Sequence, residues 1–182
     1  GITAKTPLKQ SLSVMARLLL SRAVCGDLRL DFGQNGKPFF VNNPVCFSLS
    51  HSGLLCACAV CGGEIGLDIE KMRPINNEIA RRFFSAGESG FLDAIDNEDE
   101  RKNAFFTLWT LKEAALKASG ESLAEGLEKY CFGFEGENFF PLIETKSDFF
   151  HTVLYGEYSI ALFGDFIGLQ SVLNKVYFKI FL

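Results

Sequence analysis

Asp68 and Glu70 stand two residues apart in "GLDIEKMRP", a stretch that reads as a strand ending at Pro74. Side chains alternate faces along a strand, so Ile65, Leu67 and Ile69 point into a core while the two carboxylates share the other face. Like charges about 4 Å apart repel by roughly 1 kcal/mol in water and roughly 4 kcal/mol near a protein surface. A positive partner is expected between them: a proton, a basic side chain or a divalent cation. Carboxylate oxygens are hard donors and suit magnesium or manganese better than zinc. A third carboxylate, Glu113, lies on a helical stretch where Trp109, Glu113 and Lys117 recur at i, i+4 and i+8 and project from one side. Taken alone, Glu113 and Lys117 form an ordinary exposed ion pair. Facing the strand, they bring a third oxygen donor to one cation and a lysine one turn away, which suits a phosphate-bearing substrate.

Two further stretches fit an anion. "FSLSHSG" sets Ser50, His51 and Ser52 at a strand end beside Gly53, offering hydroxyls, an imidazole and backbone N–H groups. "NGKPFF" presents Lys37 on a turn. Each is equally what a satisfied loop histidine or a solvated lysine looks like.

The elements that must position these groups follow from periodicity and punctuation. A helix is expected over 8–25, with Leu12, Met15, Leu19 and Ala23 at helical spacing and Gly26 ending it. Strands follow in "DLRLDFGQNGKPFF", "VCFSLSHSG" and "LLCACAVCGGEIGLDIE", with tight turns at Gly53 and Gly62-Gly63. After Pro74 come short helices broken near Ser85 to Gly87, then a long helix over about 100–119 closed by Gly120. From Tyr130 onward the chain is strand-like and rich in Phe and Tyr. The order helix then antiparallel meander thus occurs twice, giving an α+β fold of two similar lobes, 1–73 and 74–182, with the site at their interface.

Composition narrows the class. The 182 residues, 48% hydrophobic and 13% aromatic, suffice for a packed core. A net charge of -4 argues against a general nucleic-acid binder, so an anionic ligand must be held locally. The longest apolar run, Leu54 to Cys61, is too short to span a bilayer, and without a signal-like opening a cytoplasmic protein is expected. The chain opens on Gly1 rather than Met, so the first lobe is expected to be shortened at its start. Six cysteines without a paired C-x-x-C set, and two distant histidines, predict free thiols packed as small hydrophobes rather than zinc ligands.

Taken in order, "GKP", "FSLSHS", "GLDIE", "RRFFSAGE" and "LWTLKEAALKASG" resemble the 4'-phosphopantetheinyl transferases, in particular the Sfp-type branch that activates carrier proteins of peptide, polyketide and fatty-acid synthases. The resemblance runs from about residue 10 to 120, and beyond that only the pattern matches. It implies two α+β lobes with coenzyme A in the cleft between them, and a monomer. By position it also implies that Asp68, Glu70 and Glu113 hold magnesium (or manganese) against the coenzyme A pyrophosphate. Glu113 is then the base and Lys117 the group that neutralises the departing phosphate, with Asp68 part of the catalytic set. Lys37, Ser50, His51 and Lys112 match the coenzyme A contacts, while Trp109 packs the helix. The basic segment that precedes the first helix in longer relatives is expected to be shortened or missing, which would leave Lys5, Lys9, Arg17 or Arg22 to substitute. An acidic carrier-protein helix would find Lys71, Arg73, Arg81 and Arg82 beside Phe83 and Phe84. The alternatives are a non-catalytic coenzyme A or carrier-protein binding module of the same fold, and a different magnesium-dependent phosphoesterase.

Overall fold

In the computed structural model, the described residues are 7–75, 77–122, 126–135, 138–142, 149–164 and 175–180. Helix α1 (Pro7–Ala23) begins on a proline, whose missing N–H costs nothing in a first turn. Its buried face is Leu12, Ala16, Leu20 and Ala23, with Met15 and Leu19 at the margin. A short ribbon of β1 (Leu30–Phe32) and β2 (Pro38–Phe40) follows. Next come β3 (Cys46–Ser52), β4 (Leu55–Cys61) and β5 (Ile65–Lys71). Then α2 (Asn77–Phe83), α3 (Ala86–Asp93) and α4 (Glu98–Ser119) are interrupted at Ser85, which caps α3 in a reciprocal box with Glu88. Asn97 caps α4 and Gly120, at φ 73°, closes it in the left-handed region. The remaining strands are β6 (Phe132–Glu135), β7 (Asn138–Pro141), β8 (Phe149–Tyr155), β9 (Tyr158–Gly164) and β10 (Lys175–Ile180).

The α+β arrangement is one helix on one three-stranded antiparallel sheet, made twice: α1 covers β10-β4-β3 and α4 covers β5-β9-β8. The strands are not dealt out in chain order. β5, expected to continue the first meander, pairs with β9 from Ile65↔Gly164 to Lys71↔Tyr158, and β10 returns to pair with β4. A cut between residues 73 and 74 therefore separates β5 and β9, and also β4 and β10. The reason lies in β4, whose residues are buried on both faces and which therefore needs a neighbour at each edge.

The two sheets meet where β3 lies beside β5. Leu55, Ala57, Ala59 and Cys61 of β4 pack against Ile65, Leu67 and Ile69 of β5, the core face expected of that strand. On the opposite face of β5, Gly66 lets α4 come close: a Cβ there would lie 1.8 Å from the Ala114 carbonyl oxygen. All six cysteines are free, and burial pushes the Cys58 thiol up to about 12. Among the described residues, no helix is long and apolar enough to cross a membrane.

Candidate active site

Because Gly66 admits α4 so closely, side chains one turn apart on that helix reach the polar face of β5. Lys117 Nζ lies 2.6 Å from Asp68 Oδ1 and donates to Ser50 Oγ at 3.1 Å. Asp68 is almost wholly buried, and Ser50 donates to the same Oδ1 at 3.1 Å. Its second oxygen, Oδ2, is buried with no hydrogen-bond partner. Glu70 accepts from Ser52 at 3.2 Å and stays half-buried at the rim.

Glu113 completes the group. Burial pushes its carboxyl up to about 7, and the Asp68 and Glu70 charges add to the rise while Lys117 opposes it. Burial, then the Asp68 charge, also raises Glu70, with Ser52, Arg73 and Lys117 acting the other way. Ser50, Asp68, Glu70, Glu113 and Lys117 line an opening of about 260 Å³ together with Leu49, His51 and Ile69. A groove of about 410 Å³ continues from it past Lys37, Phe47 and Leu116, sharing Leu49, Glu113 and Lys117. Acid, base and anion-binding chemistry thus converge on one wall: a carboxyl with a pKa near neutrality and an ammonium, both opening on a cleft.

Asp68, Glu70 and Glu113 surround one opening, but among the described residues no three side chains of the ligating kinds stand close enough to share a metal ion. The cation beside Asp68 is the Lys117 ammonium. In kind, however, the donors fit a hard cation: three carboxylates on one opening, with the Asp68 charge opposing ionisation of Glu70 and Glu113, and one buried oxygen left without a partner.

The other expected contacts divide. Ser50 and His51 line the opening, and His51 Nε2 is 3.2 Å from Ser13 Oγ on α1. Lys37 lines the groove but its ammonium donates to the Ala118 carbonyl at the end of α4, and burial lowers its pKa. Asn35 caps the same helix end through the Gly120 carbonyl at 3.0 Å. Lys112 is a correction. It points away from the cleft and is fully buried, donating to Glu88 Oε2 at 2.9 Å and to the Leu127 and Tyr130 carbonyls at 2.9 and 2.6 Å. With its three donors engaged it holds α4 to α3 and the segment before β6, and leaves no donor for the cleft. Trp109 packs on Phe83 and Phe84, as expected. Arg17 and Arg22 are exposed on α1, while Lys5 and the Lys9 side chain lie outside the described residues.

Three contributors were not singled out from the sequence: Ser48, Gly66 and Glu88. The signal for the first was present in the alternation Ser48, Ser50, Ser52 on an otherwise apolar strand. For Gly66 it was a glycine two residues before Asp68 inside a strand, which marks close backbone approach. Glu88 was readable only as the partner of a capping box with Ser85.

Residues 64–163, the stretch that carries Asp68, Glu70, Glu113 and Lys117, match the family model of the 4'-phosphopantetheinyl transferase superfamily. The chain is 39% identical over 121 residues to the 4'-phosphopantetheinyl transferase Sfp of Bacillus subtilis strain 168, covering 64% of this chain and 54% of that protein. It is 40% identical over 110 residues to the 4'-phosphopantetheinyl transferase AcpT of Salmonella typhimurium, covering 58% of this chain and 57% of that protein. Among solved structures it is similar to a holo-(acyl-carrier-protein) synthase from Bacillus anthracis in complex with CoA (3',5'-ADP), at 14% identity and a TM-score of 0.47. That match covers 56% of this chain and 93% of the other. The chain spans about half the length of the two transferases it matches.

Proposed function

This chain belongs to the 4'-phosphopantetheinyl transferase superfamily, and from that premise we propose that it moves the 4'-phosphopantetheine group of coenzyme A onto a serine of an apo carrier protein, of acyl, peptidyl or polyketide type. The observation that carries this reading is Glu113, whose carboxyl is held up to about 7 within an opening it shares with Asp68, Glu70 and Lys117. A neutral serine hydroxyl is a poor nucleophile and needs a base whose pKa is near the working pH. Glu113 takes the serine proton, directly or through one water. The serine oxygen bonds to the phosphorus bearing the pantetheine arm, the bond from that phosphorus to the bridging pyrophosphate oxygen breaks, and adenosine 3',5'-bisphosphate leaves with the electron pair.

Lys117 faces the same opening and stabilises negative charge on the departing group. Asp68, Glu70 and Glu113 are the residues that would hold magnesium or manganese, which supplies charge neutralisation and orientation of the pyrophosphate when bound. Ser50, His51 and Lys37 line the walls along which coenzyme A would lie. Arg73, just past β5, and Arg81 and Arg82, in the last turn of α2, are exposed and offer a basic approach to an acidic carrier protein, while Phe84 belongs to the core. Both helix-on-sheet lobes that frame the site belong to one chain, which supports a monomer, and six free cysteines fit the reducing cytoplasm.

The test is intact mass spectrometry of apo acyl and peptidyl carrier proteins incubated with this chain, coenzyme A and magnesium, beside Glu113→Gln and metal-free controls. A gain of one phosphopantetheine group that vanishes in both controls is expected. Coenzyme A binding without any gain on acyl, peptidyl or polyketide carriers would instead assign a binding module of the same fold.

A further inference from the structure

Three serines of β3 replace a main-chain ladder along the seam between the sheets. Ser48 Oγ accepts the Leu67 N–H at 2.9 Å, Ser50 Oγ the Ile69 N–H at 3.1 Å and Ser52 Oγ the Lys71 N–H at 2.9 Å. Two of these rungs carry a second bond of the same design. Ser50 donates to Asp68 Oδ1 at 3.1 Å and Ser52 donates to Glu70 Oε2 at 3.2 Å. Each hydroxyl thus takes the amide hydrogen of one residue and gives its own proton to the carboxylate of the residue before it. At the first rung the preceding residue is Gly66, so the same hydroxyl meets no carboxylate.

A hydroxyl has a single proton to give, and an amide occupying one lone pair restricts where that proton points. The carboxylate at its end is fixed to the backbone of both sheets. This matters most for Glu70, which is half-buried at the rim and is repelled by Asp68. Unrestrained, its carboxylate gains both entropy and charge separation by swinging into solvent. Ser50 already belongs to the Asp68–Lys117 contact, whereas Ser52 touches the site only through Glu70.

We propose that Ser52 is a positioning residue for Glu70, tying that carboxylate to the opening it shares with Asp68 and Glu113 and so strengthening the site's hold on a divalent cation. The proposal rests on the cation-assisted reading given above. Hydrogen-bond partners behind a metal-binding carboxylate typically change metal affinity by about 10- to 100-fold, and a rim position falls at the lower end.

Calorimetric titration with Mn²⁺ alone, on the metal-free wild type and on S52A, S52C, S52T and S48A, tests it together with amide exchange at Leu67 and Lys71. S52A is expected to weaken Mn²⁺ uptake about tenfold, S52C to weaken it in the same direction, and S52T to restore it. S48A breaks a rung of equal kind, speeds exchange at Leu67 and leaves Mn²⁺ uptake where it was. Wild-type affinity in both S52A and S52C overturns the proposal, as does a loss in S48A equal to that in S52A, which would make the rungs purely structural. No uptake by the wild type would instead remove the cation reading of the whole site, and Ser52's role with it.

Discussion

Two lysines of α4 each meet a carboxylate, and they could hardly be used more differently. Lys112 and Glu88 are both 0% exposed, and every donor of the ammonium and both oxygens of the carboxylate are matched by protein partners. Lys117 is 33% exposed, and its partner Asp68 keeps one buried oxygen without any partner. A closed set of hydrogen bonds holds elements together, while an unfilled one leaves capacity for something that arrives. The two lysines differ by five positions along the helix, which sends them to different faces, one into the second lobe's core and one into the seam.

The contrast can be broken most forcefully at Lys112. Lys112→Met leaves the Glu88 carboxylate buried and unpaired, and urea unfolding should register a loss of about 3–5 kcal/mol. Lys117→Met should act the other way round. It costs about 1–3 kcal/mol for leaving the buried Asp68 carboxylate without its charged partner, while phosphopantetheine transfer, followed by carrier-protein mass, falls by about 10²- to 10³-fold. The last of these effects is a pH dependence. Glu113 titrates near 7 when folded and near 4.5 when free, so the folded state holds its proton more tightly. Its contribution to stability is complete below about pH 4.5 and is lost as pH rises through 7. Urea midpoints of the metal-free protein should therefore fall between pH 5 and 8, and Glu113→Gln should flatten that slope.

Much of the site was legible because local rules set it. The alternation around Asp68 and Glu70 put their side chains on one face, and the i, i+4 spacing of Glu113 and Lys117 put theirs on one side of a helix capped by Gly120. The partnering of strands was less legible, since β4 is apolar on both faces and its pattern cannot say which neighbours fill its edges. Lys112 was misread for a related reason. A lysine inside a family motif next to Glu113 looks like a ligand contact, and only the position of Glu88, brought in by the capping box at Ser85, reveals a structural pair.

The return of β10 to β4 bears on how the molecule is made. The first sheet draws its third strand from residues 175–180, so the N-terminal half cannot finish folding while that segment is still being synthesised. Until then β4, with every residue destined for burial, offers an unpaired apolar edge to any passing strand. Nascent chains of this protein therefore depend on residues 175–180 for protection from aggregation, and a deletion of that strand, far from the active site in sequence, would be felt first as a loss of yield.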